Sequence, residues 1–162
     1  MTEPRADGYD GLSGRFVPEA EFRAFLLDCL GIDERELYLG REDRLVDDLR
    51  NVPADRLFPA FCVYAEVPGH FAMRFSLGIA GWLVARVGRR EFCRRFATRF
   101  DTYVLYGDDE PMPVFSLVLP DGSLQWAVLD EEDEEIRLLT SATAPVPGLP
   151  GVPVDGSLWN VR

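Results

Sequence analysis

The sequence predicts an α+β fold in which an antiparallel β-sheet meander packs against two or three helices as a single domain. Between Thr102 and Leu139, apolar runs alternate with turn-forming linkers, which is the pattern of consecutive antiparallel strands. Two other stretches, 18–30 and 79–100, repeat apolar residues at helical spacing. A length of 162 residues with 47% hydrophobic content suits one domain with one core.

The chain divides into three parts by composition. Residues 1–14 are polar and contain glycines, so we predict a flexible N-terminus. Residues 15–143 carry the apolar periodicity of the α+β domain. Residues 144–162 form a Pro/Gly-rich C-terminal arm, and its tryptophan, Trp159, is expected to pack back onto the domain.

Pro18–Leu30 has the clearest helical pattern. Proline suits a first turn, and Gly31 is a natural C-cap. A second, shorter segment, Asp43–Leu49, is compatible with a short helix or with irregular surface structure. The apolar stripe of the first helix consists of Phe22, Phe25, Leu26, Cys29 and Leu30.

The middle of the chain predicts a hairpin followed by helices. Strands at 61–67 and 71–77 are joined by a Pro-Gly turn, although the spacing in the second segment also permits a helix. The next stretch, 79–100, reads as two helices or as one interrupted at Gly88. Six arginines would occupy its exposed side, and the buried side would consist of Trp82, Leu83, Val87, Phe92, Cys93, Phe96, Ala97 and Phe100.

The meander itself is predicted from four apolar runs and their linkers. Pro120-Asp121-Gly122 is a turn signal, because Pro presets φ, Asp bonds its own backbone and Gly accepts positive φ. With the hairpin, this gives a sheet of five or six strands. The four meander strands are 102–106, 114–119, 124–129 and 136–139.

The charge balance limits the classes of partner. The net charge is −11, and all 17 basic residues are arginine. Such acidity disfavours nucleic acid and favours a basic protein partner, although maintaining solubility is an open alternative. The N-terminus lacks the apolar core of a signal peptide, and the longest nearly uncharged stretch, Phe75–Ala85, is too short to span a membrane. We therefore expect a cytoplasmic protein.

Residues for catalysis, metals and cofactors are sparse, and we predict no catalytic site, metal site or cofactor. His70 is the only histidine. The cysteines Cys29, Cys62 and Cys93 lie about 30 residues apart without metal-ligand spacing. We expect Cys29 and Cys62 to be buried small hydrophobes. The acidic runs lack the alternating spacing and the glycine of a calcium loop.

Two acidic connections of the meander form the predicted partner-binding surface. From Asp101 to Glu135 the chain has eleven carboxylates and no arginine. Because these connections alternate along the meander, we expect them at the same end of the sheet. Concentrated negative charge there would attract a basic protein quickly. The predicted contact residues are Asp108, Asp109, Glu110, Asp130, Glu131, Glu132, Asp133, Glu134 and Glu135.

Residues 89–135 also carry a resemblance to a known class of proteins. Arg95-Phe96-Ala97-Thr98-Arg99-Phe100, Gly107-Asp108-Asp109-Glu110-Pro111 and Leu119-Pro120-Asp121-Gly122-Ser123, each followed by a strand, resemble segments of small cytoplasmic immunity proteins of bacterial polymorphic toxin systems. The resemblance implies that the chain neutralises a cognate toxin by protein–protein binding, without enzymatic activity. The alternative is a small enzyme or ligand-binding domain with a pocket between the 79–99 helix and the sheet.

Overall fold

The computed structural model describes residues 5–107, 114–130 and 135–157. In this part of the chain, eight strands form one sheet, and the longer helices pack on one of its faces. Short 3-10 turns at Glu34–Glu36 and Glu42–Arg44 flank the second strand. The elements are β1 (Asp7–Ser13), α1 (Glu19–Leu30), β2 (Leu37–Arg41), α2 (Leu45–Leu49), β3 (Ala60–Glu66), β4 (Met73–Ile79), α3 (Gly81–Arg86), α4 (Arg89–Phe100), β5 (Val104–Tyr106), β6 (Val114–Val118), β7 (Leu124–Asp130) and β8 (Arg137–Ser141).

The strand order is β2-β3-β4-β1-β5-β6-β7-β8. The predicted meander is confirmed as β5 to β8, and the predicted hairpin is confirmed as β3 and β4. The mixed fold and the single domain are as expected, but the sheet is larger than the five or six strands predicted. It is also not purely antiparallel, because β2 pairs with β3 in parallel.

The prediction of a flexible segment over residues 1–14 is wrong for 7–13. These residues form β1, which lies between β4 and β5 near the centre of the sheet. Tyr9 is buried, and its hydroxyl donates to the carbonyl of Val87 at 3.0 Å. A Cβ at Gly11 would lie 2.5 Å from the ring of Phe75. The glycine is therefore needed for close packing, and glycine content misled the sequence interpretation.

Strand β2 was also missed, because the charged residues around it obscure a short apolar run. Its buried residues, Leu37 and Leu39, face the helices, while Tyr38 lies on the opposite face of the sheet. The following segment does form a short helix, α2, as one of the two interpretations of Asp43–Leu49 expected.

Helices α1 and α4 fill the helical side of the sheet with aromatic side chains. The ring of Phe22 lies 5.7 Å from that of Phe96, and Phe96 stacks on Phe75 of β4 at 5.2 Å. Offset and edge contacts of this kind add to the burial of apolar area. The predicted buried side of 79–100 is confirmed, except that Trp82 is 37% exposed and lies beneath the guanidinium of Arg86.

The exposed side of α4 is basic, as predicted, and much of its charge is compensated locally. Glu91 accepts hydrogen bonds from Arg94 and Arg95 one turn further along the helix. These bonds lower the pKa of Glu91 to about 2. Arg99 approaches Asp28 of α1 at 3.4 Å.

A second apolar cluster lies on the opposite face of the sheet, over the meander. Leu105, Leu117 and Leu138 contribute from the strands, while Phe71 and Tyr103 cover them. The described part of the C-terminal arm joins this cluster through Val146 and Val152, which are both buried. Trp159, the expected anchor of the arm, lies outside the described residues.

Gln125 fixes the start of the arm. Its side-chain oxygen accepts from the amides of Thr143 and Ala144 at 2.8 and 3.0 Å, and its amide nitrogen donates to the Ala144 carbonyl at 3.0 Å. Further along, Asp155 donates its backbone amide to the carbonyl of Ser141 at 2.7 Å. The arm therefore extends the sheet beyond β8.

The sheet curls strongly around its second face. In a flat sheet β3 and β8 would lie roughly 29 Å apart, because neighbouring strands are about 4.8 Å apart. The connection that follows β3 nevertheless pairs with the residue that precedes β8: His70 donates its amide to the Ile136 carbonyl at 2.9 Å. Gly69 has φ +107 at this contact, a conformation that glycine adopts without strain. In the described residues, no helix is long and apolar enough to cross a membrane.

Candidate functional site

The second face of the sheet is covered over the meander. Over β2, β3, β4 and β1 the described residues cover only its margins, where Asp48 lies against Tyr38 and Gly40 and where Glu42 pairs with Arg74. We call this half the open face. Alternation along the strands and the registers between them place its side chains together. Two glycines leave the backbone accessible: a Cβ at Gly8 would have no neighbour within 4 Å, and one at Gly78 would meet only the Phe61 carbonyl, at 3.9 Å. The other open-face residues are Tyr38, Gly40, Phe61, Val63, Ala65, Arg74, Ser76, Asp10 and Leu12.

A cavity of about 690 Å³ lies where the open face meets the curled meander. Its size falls within the range of small-molecule pockets and of the recesses that receive a partner's side chains. The pocket of the alternative hypothesis was expected between the 79–99 helix and the sheet. This cavity lies on the opposite face, because aromatic side chains fill the helical side. Its apolar walls are Leu12, Val63, Leu105, Phe115, Leu129 and Ile136.

Two polar pairs border the cavity. The hydroxyl of Ser76 donates to Asp10 at 2.6 Å, and these residues are directly opposite each other on β4 and β1. Arg74 donates from Nε and Nη2 to one oxygen of Glu42, at 3.1 and 2.7 Å. Within the described chain, Arg74 is thus paired, whereas Asp10 forms no ion pair. The carboxylate of Asp10 is exposed and available to an external cation.

An aromatic cluster lies at the other margin of the open face. The ring of Tyr38 stacks on Phe61 at 4.6 Å, and Phe58 lies about 6 Å from both. The Tyr38 hydroxyl donates to Asp48 at 3.0 Å. Burial of the hydroxyl and its bond to this carboxylate raise the pKa of Tyr38 to about 12. Beside the cluster, Leu57 is 84% exposed.

The predicted acidic surface lies only partly within the described chain. Asp108, Asp109, Glu110, Glu131, Glu132, Asp133 and Glu134 lie outside it. Their described flanks, Gly107 and Val114 on one side and Asp130 and Glu135 on the other, occupy the same end of the meander. Gly107 lines the cavity together with Leu129 and Ile136, which adjoin Asp130 and Glu135 in sequence. The acidic connections therefore begin and end at the cavity margin.

Arg137 lies near both described acidic residues. It forms an ion pair with Glu135, and it is opposite Asp130 in the register of β7 and β8. An exposed ion pair of this kind contributes about 0–1 kcal/mol to folding. The charge of Arg137 also lowers the net negative charge at this margin.

The histidine and the cysteines are held in structural contacts. Nδ1 of His70 accepts from the amide of Leu138 at 2.9 Å. Burial lowers the pKa of His70, and the Arg137 charge adds to this effect. All three cysteines are buried, and burial raises the pKa of the Cys29 and Cys62 thiols. Thiols in such surroundings are poor nucleophiles. No group of three or more potential metal ligands occurs among the residues with described positions.

Sequence reasoning missed the polar pairs and the aromatic cluster. Alternation along the predicted strand 71–77 places Arg74 and Ser76 on the same side, but it does not indicate their partners. Asp10 was missed because it lies in the segment 1–14 that is predicted to be flexible. Tyr38 was hidden because β2 was not recognised. The signal for β1 was the alternation of Tyr9 with polar neighbours, which the two glycines interrupt.

Comparison of the chain with protein-family models, with curated proteins and with solved structures gave no significant match.

Proposed function

We propose that this protein is a non-enzymatic binding protein, and specifically an immunity protein that neutralises a cognate toxin by protein–protein contact. The observation that carries this proposal is the recessed, partly apolar open face with acidic connections at its margin. A recess with apolar walls supplies the desolvated centre that protein interfaces need, and a charged margin raises the association rate.

The state of the reactive side chains agrees with this proposal. Catalysis by a cysteine or a histidine would need that side chain to face a cavity. The described cysteines are buried, and Nδ1 of His70 is occupied by a backbone amide. The polar groups at the cavity, Asp10 with Ser76 and Arg74 with Glu42, pair in a way that suits recognition.

Co-expression tests the proposal directly. The chain is produced together with each protein encoded beside its gene, and growth and complex formation are measured. We expect one neighbour to be toxic alone, to be tolerated with this chain, and to co-elute with it. Association should slow as salt concentration rises, because exposed charges are screened. If no neighbour is toxic, or if toxicity persists without a complex, the proposal fails.

A second candidate function is binding of a small ligand in the cavity. The specific observation is the combination of about 690 Å³, apolar walls and a few polar groups. A ligand would bury Val63 and Phe115 and would protect the protein against unfolding without any partner protein. Thermal unfolding across a library of small amphipathic compounds distinguishes the two functions. A saturable rise in Tm that Val63→Trp abolishes would favour ligand binding.

A further inference from the structure

We propose that the open face docks one amphipathic helix of the partner, with apolar residues on the aromatic cluster and basic residues on Asp10 and Asp48. This inference rests on the proposed function and names the part of the partner that binds.

Access comes from the glycines. Gly8 and Gly78 are directly paired across β1 and β4, so their Cα atoms form a low floor on the β1 side of the open face, one residue from the start of β1 and the end of β4. The neighbouring Ser76 is also small and exposed. A helix can approach a sheet closely only where such side chains are absent or short. The meander half of the same face offers no such floor, because the arm and Phe71 cover it.

Anchoring comes from the aromatic cluster. Tyr38, Phe58 and Phe61 are each half-buried and hold one another at ring distances of 4.6 to 6.2 Å. Rigid aromatic groups lose little conformational entropy on binding, and they dominate the energetics of many interfaces. Leu57 and Val46 are strongly exposed in the segments around this cluster. An apolar partner surface would remove them from water.

Charge selects the partner. Asp10 at one side and Asp48 at the other form no ion pair with any residue whose position is described. Asp48 lies at Tyr38 on β2, and β2 and β1 are three strand spacings apart, or about 14 Å. A helix rises 1.5 Å per residue, so about three turns span this distance. The matching helix carries two basic residues about three turns apart, with leucine-like residues between them on the same side.

A synthetic peptide provides the probe. It is a three- to four-turn helix of leucine and alanine with two arginines three turns apart, titrated into the ¹⁵N-labelled full chain. A second peptide with glutamates in place of the arginines is the control. We expect amide shifts at Gly8, Ser76, Gly78 and Tyr38 with the arginine peptide only. Shifts confined to Gly107, Val114, Asp130 and Glu135, or no shifts, would overturn the inference.

Two variants sharpen the experiment. Asp10→Asn keeps the acceptor for Ser76, so the fold is expected to survive, but it removes the charge. Asp28→Asn removes one exposed charge from α1, on the opposite side of the sheet. We expect Asp10→Asn to weaken peptide binding about tenfold, the effect of roughly 1.4 kcal/mol, and Asp28→Asn to leave it unchanged. Equal effects of the two variants would mean that only net charge matters, and the open face would be rejected.

The same variants separate this inference from the proposed function. If the chain neutralises a toxin and Asp10→Asn neutralises it equally well, the immunity function stands and the open face is not the contact. If the arginine peptide binds the open face but no neighbouring protein is toxic, the docking surface stands and the immunity function fails.

Discussion

One face of the sheet has two halves that differ in how far other parts of the chain cover them. Over the meander, Leu105, Leu117 and Leu138 are buried beneath the arm and the connection that follows β3. Over β2, β3, β4 and β1, the same face carries mainly glycine, serine, aspartate and arginine on β1 and β4, and half-buried aromatic and aliphatic side chains on β2 and β3. The described residues leave most of this half uncovered. The two halves differ in composition because one is buried and the other is not. Burial of apolar side chains stabilises the fold, whereas a half that faces solvent needs polar or small residues.

The binding surface that we propose lies on the β1–β4 half of the sheet and not on the meander. The sequence drew attention to the meander, because its connections are acidic. The covered meander face is occupied by the chain itself, whereas the described residues leave most of the half built from β1 to β4 uncovered. Under the proposed function, the acidic connections would contribute charge from the margin of the recess, where their described flanks lie.

The largest expected difference between the halves concerns apolar truncation. Leu117 is fully buried under the arm, so Leu117→Ala should lower the free energy of unfolding by about 2–5 kcal/mol. The matched change Leu57→Ala, beside the aromatic cluster, should cost less than about 0.5 kcal/mol. Urea unfolding at pH 7 measures both. Similar losses would mean that the open half is also covered in solution.

The second largest difference between the halves is expected for glycine-to-alanine substitutions. Gly69 has positive φ, and a Cβ there would lie 2.3 Å from the Ile136 carbonyl oxygen, so Gly69→Ala should destabilise by about 2–3 kcal/mol. Gly8→Ala, on the open half, has free space around its Cβ and should be neutral or slightly stabilising. Chemical denaturation of the two variants side by side tests whether the curl depends on this contact. Equal stability of the Gly69→Ala and Gly8→Ala variants would contradict a role for this contact in the curl of the sheet.

Substitution of Gln125 tests whether its hydrogen bonds hold the C-terminal arm over the meander. Gln125→Leu keeps most of the side-chain volume but leaves the amides of Thr143 and Ala144 without their acceptor, at a cost of about 1–3 kcal/mol. Hydrogen exchange should accelerate at those two amides and at Asp155, while amides shared by β1 and β4 keep their protection. Uniform acceleration across the whole sheet would contradict a local role in holding the arm.

Substitution of His70 is expected to change the free energy of unfolding least, and the size of this change depends on pH. Its folded pKa lies below the ordinary 6.5, so its stabilisation is complete above pH 6.5 and declines as the pH falls below that value. Protonated Nδ1 can no longer accept from Leu138, at a cost of about 1 kcal/mol. As the only histidine, His70 should account for most of the stability change between pH 7.5 and 5.5. An unchanged pH profile in His70→Ala would contradict this.

The sequence was informative where periodicity was strong. Helix α1, the two helices around Gly88, the β3–β4 hairpin and the meander all follow from regular spacing and turn residues. It failed at β1 and β2, where two glycines and flanking charges obscured short strands. The open face could not be foreseen, because it brings together β1 to β4 through registers that pair residues up to 72 positions apart. Only Arg74 and Ser76 could be placed on a common polar side.

The central position of β1 has a consequence for how the molecule is made. Its neighbours, β4 and β5, begin at residues 73 and 104, so this first strand leaves the ribosome long before either can pair with it. Until then its tyrosine and backbone stay unpaired in the nascent chain. Pairing over such separations slows folding, because a long loop must close first. We expect a deletion of residues 5–13 to divide the sheet into two pieces rather than merely trim its edge.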